Sequence, residues 1–138
     1  MSDFTGLYDI RDMKSEDRNF ILATFLRGLY YGESWFSLIP KQIFMTNYKT
    51  VANVLINSPN TVVKVACLKE DTDTIIGYSI LSSDYQTIHW VQVKKLWRGK
   101  GIGKSLVPAY PVAVSHLTDL GRKLLIKFPN TVFNPFIN

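Results

Sequence analysis

The residues of this sequence that are best suited to chemistry lie in one short segment, LWRGKGIGKSLV, at positions 96–107. Three glycines stand there at alternate positions, and basic side chains surround them: Gly99, Gly101 and Gly103 with Arg98, Lys100 and Lys104. Glycine has no Cβ atom, so its backbone can approach an anion closely. A glycine-rich turn that opens a helix offers backbone N–H groups and the positive end of the helix dipole to a phosphate. The segment therefore predicts a site for a phosphorylated ligand.

Two other phosphate-binding motifs do not match this segment. A P-loop would need a glycine five positions before Gly103, where the chain has Arg98, although Gly-Lys-Ser follows at 103–105. A dinucleotide-binding turn would need the pattern Gly-x-Gly-x-x-Gly and an acidic residue on a second parallel strand, and the sequence shows neither. The pyrophosphate of coenzyme A is the third interpretation of the ligand.

The elements that must position this turn follow from the hydrophobic pattern of the chain. Helical spacing predicts helices over 15–30, with Ser15 as the N-cap, and over 39–59, with Pro40 at the first position. Runs of β-branched and apolar residues predict strands, which lie at 7–11, 61–69, 75–82, 87–95 and 123–128. We expect a third helix over 102–107 and, after Pro108 and Pro111, a second helical segment that ends at Gly121.

This order of elements predicts one domain over residues 1–138. Its class is α/β (α+β), with the order β-α-α-β-β-β-α-β and helices on the faces of a mixed, partly antiparallel central sheet.

The segment VQVKKLWRGKGIGKSL resembles the signature of the GCN5-related N-acetyltransferases (GNAT), in which a strand leads into Arg/Gln-x-x-Gly-x-Gly/Ala. Arg98, Gly101 and Gly103 occupy the three fixed positions, and the order of elements agrees from residue 7 to about residue 128. The resemblance implies acetyl-coenzyme A (acetyl-CoA) as the cofactor, with the pyrophosphate on the turn and the pantetheine arm paired to the preceding strand. It implies the following binding residues: Val91, Val93, Arg98, Gly99, Lys100, Gly101, Ile102, Gly103, Lys104 and Ser105.

Acetyl transfer needs a group that takes a proton from the attacking amine. His89 lies nine residues before Arg98, where similar sequences often carry glutamate, and a histidine of near-neutral pKa can accept a proton. The alternative is a hydrogen-bonded strand histidine without a catalytic role. Glu33 is the second candidate, because its loop borders the acceptor site in the family. The aromatic residues in and beside this loop either line a pocket or pack in the core; they are Tyr30, Tyr31, Trp35 and Phe36. His116 is assigned no role, and no metal ion is expected.

The chain departs from the family after its last predicted strand. The family continues with a helix whose tyrosine often protonates the departing thiolate, whereas the last ten residues here, PNTVFNPFIN, contain no tyrosine. Another residue or solvent must then supply that proton, or the protein keeps the fold without turnover. We expect the open acceptor side to be covered in a homo-oligomer through the aromatic tail.

Charge and composition narrow the choice of partners and compartment. The net charge of +5 and the pI of about 9.4 favour an anionic ligand or surface. No apolar run is long enough to span a membrane, and the N-terminus lacks the pattern of a signal peptide, so a cytoplasmic protein without a membrane partner is expected. The single cysteine, Cys67, forms no internal disulfide and is interpreted as a small buried side chain.

Three functions from different classes remain open. The leading hypothesis is an acetyl-CoA-dependent N-acetyltransferase that acetylates a primary amine of a small molecule or a peptide. The main alternative is a non-catalytic structural or assembly protein of the same fold, for instance one encoded by a phage. The third is a nucleic-acid-binding module that uses the basic run with its interleaved tryptophans, and nucleic acid is the least favoured partner.

Overall fold

The computed structural model describes residues 6–33, 36–109, 111, 113–116 and 130–135. Three α-helices lie in this part of the chain, namely α1 (Arg18–Gly32), α2 (Lys41–Asn57) and α3 (Ile102–Leu106). The strands are β1 (Tyr8–Asp12), β2 (Thr61–Leu68), β3 (Ile75–Ser82), β4 (Thr87–Val93), β5 (Ala113–Val114) and β6 (Val132–Phe133). They form one mixed sheet in the order β1-β2-β3-β4-β5-β6.

The sheet is antiparallel from β1 to β4, whereas β5 and β6 join it in parallel. This mixed sheet flanked by helices confirms the predicted fold class. The first two helices and the first four strands begin and end close to their predicted positions. Ser15 begins a short 3₁₀ turn, Ser15–Asp17, and does not cap α1 directly. Pro40 stands immediately before α2, where its fixed φ suits a helix start.

Both faces of the sheet are covered. On one face α1 and α2 pack against the strands through a large apolar cluster that includes Phe25, Leu29, Val65, Ile80 and Trp90. On the other face α3 packs through a smaller cluster: Tyr8, Ala66, Ile76, Ile102 and Leu106. All eight residues of β3 are buried, because this strand lies between the two layers. Burial of one such aliphatic side chain contributes about 1.5–3 kcal/mol.

A half-buried ion pair fixes the start of α1 against the sheet. The two terminal nitrogens of Arg11, on β1, donate to the two carboxylate oxygens of Asp17 at 2.6 and 3.2 Å. The backbone N–H of Lys14 donates to the same carboxylate, and Arg11 also donates to the carbonyl of Thr72. The Arg11 hydrogen bonds hold the pKa of Asp17 below its ordinary value. Three separate segments are thereby joined at one point.

The segment after α3 corrects one prediction. Residues 113–116 were expected to be helical, but Ala113–Val114 forms a strand that pairs with Thr87 and Ile88 of β4. The chain leaves α3 in an extended conformation at Val107, and Pro108 and Pro111 prevent a new helix from forming directly behind it. The predicted strand at 123–128 and the helix end at Gly121 lie outside the described residues.

The tail contains one strand that was not predicted. Val132 and Phe133 pair with β5 in parallel, and both side chains are exposed. Among the helices of the described segments, none has both the length and the hydropathy required to cross a bilayer.

Candidate active site

The glycine turn connects β4 with α3. Gly99 and Gly101 adopt left-handed backbone conformations, with φ of 77° and 83°, which other residues rarely adopt. A Cβ atom built on either glycine would meet no other atom within 4 Å, so the outer side of the turn is open. On the inner side, Ile102 and Leu106 anchor α3 in the core. The turn is therefore held in place from behind and is accessible from outside.

Backbone donors converge at this turn. The first hydrogen bond of α3 runs from the N–H of Ser105 to the carbonyl of Gly101, at 3.1 Å. The N–H groups of Ile102, Gly103 and Lys104 come earlier in the helix and have no intrahelical acceptor. Lys104 and Arg98 are exposed beside them. The Nε of Arg98 donates to the carbonyl of Val93 at 3.0 Å, which ties the turn to the end of β4.

A β-bulge interrupts β4 at His89. Trp90 pairs with Ile80 and Ile88 pairs with Leu81, so His89 is an extra residue in the ladder with β3. On its other edge, β4 pairs with β5 only at Thr87 and Ile88. Bulges bend a strand and increase its twist, and they are common next to active sites. Within the described residues, the two strands pair before the bulge and not beyond it.

The edge of β4 beyond the bulge carries backbone groups that pair with no strand of the described segments. In an antiparallel ladder, successive residues direct their N–H and C=O groups alternately to the two sides. Lys94 donates to Ile76 at 2.8 Å, so Gln92 and Trp90 also face β3, whereas Val91 and Val93 face away from it. No described residue pairs with Val91 as a strand, and Val93 bonds to the Arg98 side chain. This edge leads through a short 3₁₀ turn, Lys95–Trp97, into the glycine turn.

His89 is fully buried, and its two ring nitrogens differ. Its Nδ1 lies 2.6 Å from the hydroxyl oxygen of Ser115, which follows β5. Its Nε2 is buried and has no hydrogen-bond partner among the described residues. Burial lowers the pKa of His89, because the charged imidazolium is poorly solvated there. The residue is therefore a neutral imidazole at pH 7.

Sequence analysis missed the residues that surround His89. The Ser115 hydroxyl also lies 2.9 Å from Nδ1 of His116, and Nε2 of His116 lies 2.7 Å from the phenol oxygen of Tyr48 on α2. Burial and the neighbouring His89 lower the pKa of His116 to about 4, and burial raises the pKa of Tyr48 to about 12. The sequence offered one signal for this cluster, namely the adjacent polar residues Ser115 and His116 in a segment with β-branched neighbours.

The second predicted base lies elsewhere. Glu33 is buried at the end of α1, where its backbone carbonyl accepts the N–H of Phe36 at 3.1 Å, and it is not bonded to His89. The Tyr30 phenol donates to the carbonyl of Ile39, and Phe36 packs against Phe44 and Tyr48. Tyr30 and Phe36 therefore pack in the core. Tyr31 is exposed, and Trp35 lies outside the described residues.

Solved structures with this arrangement of elements include acetyltransferases. The chain matches a proposed acetyl transferase from Pyrococcus furiosus at 18% identity and a TM-score of 0.54, over 92% of this chain and 80% of that one. It matches the GCN5-related glucosamine N-acetyltransferase region of a fungal multi-domain β-N-acetylglucosaminidase at 17% identity and a TM-score of 0.53, over 88% and 16%. It also matches apo YjaB from Escherichia coli at 19% identity and a TM-score of 0.50, over 72% of this chain and 61% of YjaB.

These similarities identify the fold. The chain has the fold of the GCN5-related N-acetyltransferases, as the glycine signature predicted. Comparison of the sequence with protein families and with curated proteins finds no match.

Proposed function

We propose that the protein binds acetyl-CoA along β4 and the glycine turn, and transfers the acetyl group to a primary amine of a small molecule or a peptide. The observation that carries this proposal is the edge of β4 beyond the His89 bulge, which no described strand pairs with and which runs toward a turn with open space around Gly99 and Gly101. One continuous surface thus offers hydrogen bonds to an amide-containing arm and then N–H donors to a phosphate.

The glycine turn fits a pyrophosphate. The N–H groups of Ile102, Gly103 and Lys104 have no intrahelical acceptor, and the first turn of a helix attracts negative charge. Lys104 and Arg98 add positive charge in solvent. Because α3 has only five residues, its dipole is weak, and the backbone donors and basic side chains provide most of the attraction in this proposal.

The edge of β4 fits the pantetheine arm. Pantetheine contains two amides in an extended chain, and Val91 presents an N–H and a C=O that face away from β3. An extended ligand can pair with such an edge as an additional strand would. The side chains of Val91 and Val93 pack against the α3 cluster, which keeps this edge in place.

His89 is the proposed base. When bound, acetyl-CoA supplies an activated thioester, and the protein must remove a proton from the attacking nitrogen. His89 is neutral, and it lies in the bulge where the pairing of β4 with β5 ends. Its Nδ1 is bonded to Ser115, and its Nε2 has no partner in the part of the chain that the structure describes. Glu33 is not favoured for this role, because it lies at the end of α1 and is not bonded to His89.

Calorimetry and a thiol-release assay test this proposal. Purified protein is titrated with acetyl-CoA and, separately, with pantetheine and with adenosine 3′,5′-bisphosphate, and release of free coenzyme A is then followed with a panel of amines. We expect micromolar binding of acetyl-CoA, weaker binding of each fragment, and amine-dependent thiol release. Absence of acetyl-CoA binding would refute the proposal. Tight binding without thiol release for any amine would support the non-catalytic alternative.

A further inference from the structure

Four side chains form a continuous hydrogen-bonded chain through the candidate site. The contacts are 2.6 Å from His89 Nδ1 to Ser115 Oγ, 2.9 Å from Ser115 Oγ to His116 Nδ1, and 2.7 Å from His116 Nε2 to the Tyr48 hydroxyl. The chain crosses from β4 to the end of β5 and then to α2. His89 and Ser115 are buried, whereas His116 and Tyr48 are half-buried, so the chain leads from the interior toward solvent.

The surroundings of this chain are apolar. The His116 ring lies edge-on to Phe25, with 5.5 Å between ring centres, and the Tyr48 ring stacks on Phe44 at 5.2 Å. Among residues 6–33, 36–109, 111, 113–116 and 130–135, no charged side chain is bonded to any of the four members. Apolar surroundings disfavour a charged imidazolium, and the lowered pKa of both histidines agrees with this. Both rings are therefore neutral, with one proton each.

Two arrangements of the shared protons keep both rings neutral and let Ser115 accept from one ring and donate to the other. In the first, His89 Nδ1–H donates to Ser115, Ser115 donates to His116 Nδ1, and His116 Nε2–H donates to Tyr48. In the second, Tyr48 donates to His116 Nε2, His116 Nδ1–H donates to Ser115, and Ser115 donates to His89 Nδ1. The two histidines have opposite tautomers in both arrangements. His89 Nε2 is a free base in the first arrangement and an N–H donor in the second.

His89 Nε2 is the one end of this chain that has no partner in the described structure. A buried polar atom without a partner is rare and calls for an explanation. The atom belongs to the residue of the bulge, where the pairing of β4 with β5 ends. A proton exchanged there with a bound substrate would supply the missing partner.

We propose that Ser115, His116 and Tyr48 relay protons between His89 and solvent, so that one neutral histidine serves as both base and acid. This inference rests on the acetyl transfer proposed above. In the forward direction, the amine gives its proton to His89 Nε2, and the Nδ1 proton passes to Ser115. The Ser115 proton passes to His116 Nδ1, the His116 Nε2 proton passes to Tyr48, and Tyr48 releases its own proton to water.

The reverse direction completes the cycle. His89 Nε2–H donates its proton to the departing sulfur, and each bond of the chain shifts back while Tyr48 takes a proton from water. The amine loses one proton, the thiol gains one, and the four side chains return to their first arrangement. No buried group carries a charge after either transfer. The relay thereby supplies the proton that the departing thiolate requires.

Nitrogen-15 NMR of the imidazole rings tests the relay on the protein without acetyl-CoA. At pH 7 we expect both histidines to be neutral and to have opposite tautomers, or to exchange between the two in a complementary way. Ser115→Ala breaks the hydrogen-bonded link between the rings, so we expect the coupling between their tautomer populations to be lost. Ser79→Ala is the matched control, because it removes a buried serine hydroxyl that donates to Leu106 at 2.7 Å, outside the chain. Identical tautomers in the wild type, or a cationic ring at pH 7, would overturn the proposal.

A kinetic comparison tests the same chain during turnover. Tyr48→Phe removes the solvent end and keeps the ring, and Tyr30→Phe is the control, because it removes a buried phenol that donates to Ile39. We expect Tyr48→Phe to lower kcat by about 10- to 100-fold and to alter the pH profile, with an unchanged Kd for acetyl-CoA. Tyr30→Phe should leave kcat, the pH profile and the Kd unchanged. A wild-type kcat and pH profile in Tyr48→Phe would refute the relay. If the wild type fails to bind acetyl-CoA, the proposed function fails, and NMR alone decides on the relay.

Discussion

Replacing Gly103 by glutamate should raise the stability of the protein while it abolishes coenzyme binding. Gly103 is the second residue of α3, and it does not have the positive φ of Gly99 and Gly101. A Cβ atom there would lie 3.6 Å from a methyl group of Val93, which is an ordinary contact. Glycine costs about 1 kcal/mol relative to a good helix former in a helix interior. A carboxylate in the first turn adds little to this, because the dipole of the five-residue α3 is weak.

The expected gain in the free energy of unfolding is therefore about 1 kcal/mol, which corresponds to a rise in Tm of about 4 °C for a domain of this size. The effect on binding has the opposite sign. A carboxylate about 5 Å from one phosphate charge, at an effective dielectric constant of about 20, costs about 3 kcal/mol. That energy alone weakens the Kd for acetyl-CoA by more than about 100-fold.

Thermal unfolding and calorimetric titration with acetyl-CoA, on the same preparation, measure both effects of Gly103→Glu. Gly6→Glu is the matched control, because Gly6 is exposed and a Cβ atom there would meet nothing within 4 Å. We expect the control to bind as the wild type does. An unchanged Kd in Gly103→Glu would refute the placement of the pyrophosphate at this turn. A lower Tm would refute the description of residue 103 as an early helical position.

The remaining predictions concern the framework around the site. Asp17→Asn should lower the free energy of unfolding by about 2 kcal/mol at pH 7. Because the folded pKa of Asp17 lies below its unfolded value, the stability deficit of the variant should shrink as the pH falls through the folded pKa. Urea unfolding of wild type and variant at pH 7 and pH 3 measures this deficit. Equal stability of the two proteins at pH 7 would contradict the ion pair. Leu106→Ala should lower the free energy of unfolding by about 2–5 kcal/mol and weaken acetyl-CoA binding, because this buried side chain holds α3 on the sheet. Chemical denaturation measures the loss of stability, and Val107→Ala, at a half-buried position, is the milder comparison. The Cys67 thiol, fully buried, should react with an aromatic disulfide reagent at the rate of global unfolding, so rapid labelling of the native protein would disprove its burial.

Sequence patterns predicted the elements whose structure depends on neighbouring residues. The spacing of Ile21, Phe25 and Leu29 predicted α1, and all three side chains are buried in its core-facing stripe. The alternating glycines predicted the turn, because a left-handed conformation at Gly99 and Gly101 is a local property of the residue. Local patterns of this kind identify a helix, a hairpin or a turn without knowledge of the rest of the chain.

The parts that were missed depend on contacts between distant residues. Ser115 bonds to His89 across 26 positions, and His116 bonds to Tyr48 across 68. No local periodicity shows that Ala113 and Val114 would pair with β4. Pairing in the sheet overrode the helical interpretation there, and the two prolines before it had already weakened that interpretation. His116 received no role because its predicted element was wrong.

The bulge at His89 makes the separation of β4 from β5 depend on the number of residues in β4. Substituting His89 by another side chain would keep the extra position in the ladder, because the two-against-one pairing with β3 involves only the backbone. Deleting the residue would restore regular pairing between β3 and β4 and would remove the irregularity at which the pairing of β4 with β5 ends. A change in the length of β4 should accordingly alter this edge of the sheet, whereas a substitution at position 89 changes the chemistry of the site and leaves the bulge in place.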